Sequence, residues 1–438
     1  MRIVDLGFHL MNEFPILHKI YWGTVIILNL LAFMTGGIED LMITIIATVI
    51  LSIPFCFIIG IAIKIKNRKI IADRNFYDRI FQDIGLISKN GTYPFYVGDD
   101  TNEYARLLTF KAVIPLSTWQ SKIELLETHM NVKIIKMENA PNDKNVVYIY
   151  IETKELPTSV TFDDTKIPDR AFLNLGIDHF GYVLIDLDKA PHTFIAGETG
   201  SGKTNLIKGL IYQSLVKGYD VKLIDFKRGV SFVAFTDAIT IYSDYDRIIL
   251  LLESLVKETH DRLDLLRNNR VEDIKQYNEL PNRYMERTVL FIDELAELMK
   301  SSDKVGNKRI TNALETLTRL SRAVGINLIM GLQRPDATII NGQIKNNVSR
   351  RITGRFSDPE PSRIMLGNDL AMRLPNIRGR MILKDDETRE FQAFYVPQES
   401  LNLERFKKVN TYSQPIEVPK TEEHREPIGI DFNFDDII

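Results

Sequence analysis

The chain has a single cysteine, Cys56, so no disulfide can form within it and no cysteine-rich metal site can be built. Histidine is also scarce, with seven residues and no H-x-x-x-H or C-x-x-C spacing, which removes zinc from consideration. Charge of either sign nearly cancels: 55 Lys and Arg stand against 58 Asp and Glu, for a formal net charge of -3. A polyanion would therefore have to be met by a local basic lining and not by the whole surface. What is present suits two or three domains with real cores, since the 438 residues are 45% hydrophobic and 26% charged.

Long apolar runs are confined to the N-terminal region. Leu41 to Ile63 carries no charge and exceeds the roughly 20 residues that cross a bilayer. Ile20 to Met34 is shorter, with Tyr21 and Trp22 as interfacial anchors and Lys19 able to snorkel. The pattern predicts transmembrane helices over about 16–35 and 41–63, within a membrane anchor spanning 1–66. Phe14 and Pro15, together with the second span, argue against a cleaved signal. Lys64, Lys66, Arg68 and Lys69 follow the second span, so the positive-inside rule puts the remainder in the cytoplasm of a multi-pass plasma-membrane protein.

Residues 67–170 read as a juxtamembrane helix followed by a small α+β domain. Ile70, Phe76, Ile80, Phe81 and Ile84 have helical spacing within 67–87. Strand, helix, strand and strand follow over Leu107–Pro115, Gln120–His129, Val132–Met137 and Val146–Glu152, the last two divided by a turn at 139–143. From Phe172 to about residue 400 the chain is expected to alternate strand and helix as a doubly wound α/β sheet.

Within that stretch, Phe194-Ile195-Ala196 is a strand-like run that enters Gly197-Glu198-Thr199-Gly200-Ser201-Gly202-Lys203-Thr204. This is a Walker A loop. Its glycines let successive N–H groups surround a phosphate, a helix starts at the anion, Lys203 reaches the β- and γ-phosphates, and Thr204 can ligate Mg²⁺. Thr288 to Ile292 is a second apolar run, ending in Asp293 and Glu294. At the C-terminal end of a parallel strand, Asp293 can hold Mg²⁺ and Glu294 can orient and deprotonate the attacking water of an ATPase.

Helix Ile310–Ala323 then leads to strand Ile326–Met330 and to Gln333, a candidate γ-phosphate sensor or else a turn cap. A strand over Arg351–Phe356 puts Arg351, Thr353 and Arg355 on one face. Arg351 or Arg355 can serve a neighbouring subunit as an arginine finger, or can pair with local acids.

These motifs, with Leu223-Ile224-Asp225-Phe226-Lys227-Arg228, Gln333-Arg334-Pro335 and Arg351-Ile352-Thr353-Gly354-Arg355, resemble the FtsK/SpoIIIE family over about Leu107–Val396. The resemblance implies a RecA-like motor that assembles as a hexameric homo-oligomer, uses ATP and Mg²⁺, and pumps DNA through a central pore. Lys300, Lys304, Lys308 and Arg309 fall in a polar loop that resembles the family's pore-facing segment, and are expected either to contact DNA or to be simply solvated. No winged-helix module follows Val396, and two spans replace the family's usual four. The layout is similar to the TcpA-like coupling proteins of Gram-positive conjugative elements, which implies relaxase and secretion-channel partners. Chromosome segregation and type VII-like protein export are the alternatives. Residues 401–438 are expected to be an acidic, disordered tail whose alternating end, Ile428–Ile438, can add as a strand to a partner or fold back.

Overall fold

The structure is a computed structural model that describes residues 73–169, 171–300, 304–336 and 342–406, with residue 42 alone before them. The expected spans over 16–35 and 41–63, and the tail beyond residue 406, lie outside this description. Among the described residues no helix is long and apolar enough to cross a membrane. The described chain forms two units, residues 73–101 with 106–152, and residues 102–105 with 153 onward.

In the first unit a helix over 73–83 buries Ile80 and Phe81, two of the residues whose spacing marked it as amphipathic, and Ile84 is buried just after it; Tyr77 is buried as well, whereas Phe76, expected on the same face, is 49% exposed. Its sheet has the order β1-β2-β4-β3, with β1 Phe95–Thr101, β2 Ala105–Lys111, β3 Ile134–Ala140 and β4 Asp143–Glu152. Trp119, from the short helix Leu116–Gln120, meets Phe81 and Phe110 at ring distances of 5.6 and 5.7 Å and closes the core.

The second unit is one large mixed sheet. Its path runs β10-β9-β11-β12-β8-β13-β14-β15-β6-β7, where β6 is Phe172–Asp178, β7 Gly181–Asp186, β8 Thr193–Ala196, β9 Asp220–Ile224 and β10 Thr240–Tyr242. The others are β11 Thr288–Ile292, β12 Ile326–Leu332, β13 Arg350–Thr353, β14 Arg380–Lys384 and β15 Thr388–Tyr395. Strands β10 through β13 on this path are parallel, and the pairings from β13 to β7 are antiparallel. Every residue of β8, β11 and β12 is buried, because both faces of the parallel half are covered. Side-chain alternation sorts them: Phe194, Ala196, Leu290 and Ile292 join the core under helices Tyr245–Asn269 and Lys304–Leu320, whereas Ile195, Val289 and Phe291 join the core under helix Lys203–Val216.

Three expectations are corrected here. The strand–helix alternation does not start at Phe172, because β6 and β7 form an antiparallel hairpin and the parallel half begins only at β8. The strand expected over Arg351–Phe356 ends at Thr353, although Gly354 N still donates to the carbonyl of Ala196 at 2.8 Å, in register with the β13–β8 pairing. The helix expected over Ile310–Ala323 starts at Lys304 and absorbs most of the polar loop before it.

Candidate active site

Strand β8 stops at Ala196, and the loop 197–202 leads into the helix Lys203–Val216. Gly202 has φ 103, and a Cβ there would lie 2.9 Å from Gly379 N, so only glycine satisfies both its backbone and its neighbour. Gly379 N donates to Ser201 O at 2.9 Å, which holds the loop in shape. The helix N-terminus is left with its first amides free of intrahelical partners, the usual seat for a phosphate. Glu198 points the other way: its carboxylate accepts from Ser357 N at 2.7 Å and from Ser357 Oγ at 3.0 Å.

Two strands away, β11 delivers Asp293 and Glu294. Gly331 on the intervening β12 allows this close approach, since a Cβ there would sit 2.1 Å from Asp293 O. Lys203 Nζ bridges the gap, donating to Asp293 O at 2.6 Å and to Glu294 Oε2 at 3.2 Å, with Asp293 Oδ1 at 3.8 Å. Glu294 Oε2 also accepts from Gln333 N at 2.9 Å. The structure thus brings Lys203, Asp293, Glu294 and the Gln333 backbone into one buried cluster. Burial raises the pKa of both carboxyls above the usual carboxylate range, and the Lys203 charge pulls the other way.

Asp293 Oδ1 and Glu294 Oε1 are buried without a hydrogen-bond partner. The orphaned Asp293 Oδ1 and the half-buried Thr204 hydroxyl would make an all-oxygen donor set, which fits Mg²⁺ completed by phosphate and water. Among the described residues no cluster of three or more His, Cys, Asp or Glu side chains could hold a metal unaided.

The two arginines separate. Arg351 is half-buried and donates to Met365 O at 3.0 Å and to Lys345 O at 3.3 Å, so its guanidinium is tied to its own chain. Arg355 lies beyond the strand, in the loop joined to the P-loop through Gly354 and Ser357, and its Nε is buried without a partner. The basic quartet is not one loop. Lys300 follows the short helix Leu295–Leu298 and sits 3.5 Å from Glu297, while Lys304, Lys308 and Arg309 lie on the helix Lys304–Leu320. Lys304 and Lys308 are exposed one turn apart on that helix, and Arg309 makes a two-pronged ion pair with Glu253 at 2.8 Å.

Sequence reasoning missed the contacts made by Gly331, Gly379 and Asn205. The Asn205 amide donates to Phe394 O at 2.5 Å and its oxygen accepts from Val396 N at 3.0 Å, which fastens the P-loop helix to β15. Asn205 is the residue after Lys203-Thr204, but its distant partner has no local signal.

The FtsK/SpoIIIE family profile matches residues 169–290, from the hairpin through the P-loop into β11. The Staphylococcus aureus "DNA translocase FtsK" is 33% identical over 235 residues, 48% of this chain and 29% of that protein. The chain therefore spans less than a third of that relative. The conjugation coupling protein TcpA of pCW3, solved in a monomer form with ATPγS, is 36% identical with a TM-score of 0.56, and the match covers 74% of this chain and 96% of that one. ATPases 2 and 3 of EssC from Geobacillus thermodenitrificans share the fold, at 17% identity and a TM-score of 0.50, over 58% of this chain and 52% of theirs.

Proposed function

Because the chain belongs to the FtsK/SpoIIIE family and carries its P-loop ATPase domain, we propose that it is a membrane-anchored, ATP-driven DNA translocase that serves as the coupling protein of a conjugative transfer channel. The observation that carries this reading is the 36% identity to a conjugation coupling protein along 96% of its solved chain. In this reading residues 1–66 hold the chain in the membrane through spans 16–35 and 41–63, and residues 67–170 and 171–400 form its small domain and motor. Like subunits assemble as a hexameric ring around DNA, with a relaxase and channel proteins as partners.

The geometry suggests how turnover begins. An arriving triphosphate takes Lys203 away from the carboxylates that hold it at 2.6 and 3.2 Å. Glu294, already made more basic by burial, then loses its nearest cation and gains proton affinity, which suits it to deprotonate water. Asp293 Oδ1 and Thr204 would hold Mg²⁺, whose bound charge neutralises the β- and γ-phosphates. Gln333 keeps Glu294 in place through its backbone. Arg355 Nε has no partner, whereas both terminal nitrogens of Arg351 are bonded to backbone carbonyls, so Arg355 is the better candidate to meet a phosphate.

The test combines biochemistry and transfer. The purified chain should hydrolyse ATP faster with DNA and displace a third strand from a DNA triplex. A Lys203→Ala donor should transfer its mobile element at least 100-fold less often, while its chromosome partition is unchanged. DNA-independent hydrolysis would sink the translocase reading, and a partition defect with normal transfer would replace coupling by chromosome segregation, the role the S. aureus relative's name suggests.

A further inference from the structure

Glu294 is held by Lys203 and Gln333 N, and the short helix Leu295–Leu298 that starts beside it is held at its other end. There the Tyr245 hydroxyl donates to Glu297 O at 2.8 Å, and Lys300 N donates to the same carbonyl at 3.1 Å. A helix of one turn has no stability of its own, so its contacts decide where it lies. Leu295 and Leu298 bury its inner face, and Tyr245 fixes its carbonyl end. Tyr245 is a stiff post. It is the first residue of the helix Tyr245–Asn269, whose N-cap Asp244 accepts from Arg247 N at 3.1 Å. Its ring meets the Phe226 ring at a centroid distance of 5.0 Å. Phe226 follows Asp225, a buried residue whose carboxylate accepts from Gly229 N at 2.7 Å and whose carbonyl accepts from Ser243 Oγ at 2.7 Å. The post therefore stands on the end of β9 as well as on its own helix.

The same helix reaches the basic residues. Glu253, about two turns beyond Tyr245, takes both prongs of Arg309 at 2.8 Å, and Arg309 adjoins Lys308 on the helix Lys304–Leu320. A two-pronged pair keeps its geometry where a single surface contact does not. The two helices also share one core, through Ile248 and Leu252 on one and Ile310 and Leu314 on the other. Contacts thus run from Lys308 through Arg309, Glu253, Tyr245 and Glu297 to Glu294, and every link between side chains is a hydrogen bond or an ion pair.

We propose that Tyr245 and the Glu253–Arg309 pair are positioning residues that carry DNA engagement at Lys304 and Lys308 to Glu294, so that hydrolysis quickens when DNA is bound. The proposal rests on the translocase reading and deepens it. A phosphate backbone that shifts the helix Lys304–Leu320 moves the helix Tyr245–Asn269 through the ion pair, and Tyr245 then moves the short helix beside Glu294. ATP turnover of the full chain, with and without saturating duplex DNA, tests this together with DNA affinity from fluorescence anisotropy. Tyr245→Phe keeps the ring and removes only the hydroxyl. It should leave DNA-free turnover and DNA affinity unchanged and cut the stimulation by DNA about fivefold, the effect of one hydrogen bond. Glu253→Gln should lower stimulation in the same way, and the double variant should lose no more than the larger single loss, because both act on one route. Full stimulation in Tyr245→Phe, losses that multiply in the double variant, or DNA-free turnover that falls in step with the stimulated rate would overturn the proposal. A wild type that DNA does not stimulate would instead fail the translocase reading, and the proposal with it.

Discussion

Replacing Lys203 with alanine exposes the electrostatics of the nucleotide-free site. The lysine side chain is 5% exposed and is the cation nearest two buried carboxyl groups. Removing one member of a buried ion pair costs about 3–5 kcal/mol, because the other is left charged and unpaired. That cost applies only while Asp293 and Glu294 are ionised, which fixes its pH dependence. Burial gives both a folded pKa above the ordinary one, so their contribution to stability is complete below the unfolded value of about 4 and is lost as pH rises through the folded value. Lys203 is the main influence that holds those values down. Without it they climb further, and the variant loses more than the wild type does as pH rises from the unfolded value of about 4 through the raised folded values. Calorimetric unfolding of the nucleotide-free full chain should therefore show little difference near pH 4.5. At pH 8 the larger unit of the variant should unfold about 6–12 °C lower, from about 3 kcal/mol at 2–4 °C per kcal/mol. Equal offsets at the two pH values would refute the assignment of Lys203 as the neutralising cation.

Glu294→Gln should bind ATP yet slow single-turnover hydrolysis by about 10²–10⁴-fold, the contribution of a general base, and wild-type turnover would remove Glu294 from that role. Gly331→Ala forces a methyl to within 2.1 Å of Asp293 O, so β11 and β12 must part; a loss of about 1–3 kcal/mol in urea unfolding is expected, and none would contradict the close approach. Lys304→Gln with Lys308→Gln should weaken DNA binding without sequence preference and flatten its salt slope by about 0.9 per lost phosphate contact. Arg309→Ala should leave that slope nearly unchanged, since its charge already faces Glu253; the opposite pattern would place the DNA on Arg309.

The parts of the site that were legible are those written contiguously. The P-loop and the Asp293-Glu294 pair follow short apolar runs whose complete burial in β8 and β11 makes the runs continuous instead of alternating. The antiparallel half was not legible, because pairing β15 with β6 joins Gln392 to Ile177, and no local pattern encodes such a distant register. Strand β1 was missed because Phe-Tyr-Val gives way to Gly-Asp-Asp, and its Asp99 is paired with Arg106 on the next strand. The helical position of Lys304 and Lys308 was obscured by Gly306 and Asn307, although Gly306, Ile310, Ala313, Leu314 and Leu317 form a buried stripe at helical spacing. The finger candidates shared one expected strand face; the strand ends at Thr353, so Arg355 falls outside it.

The clamp between Glu198 and Ser357 binds the nucleotide to something beyond its own site. Ser357 belongs to the loop that carries Arg355, and both hydrogen bonds end on a residue of the P-loop itself. Two equilibria that share a hinge obey reciprocity: if triphosphate binding strengthens the clamp by some factor, closing the clamp strengthens triphosphate binding by that same factor. In that case whatever displaces the 354–358 loop also changes nucleotide affinity without touching the nucleotide. Disabling the clamp with Glu198→Ala, which removes both acceptors, should cut that line of communication while the phosphate-binding amides stay intact.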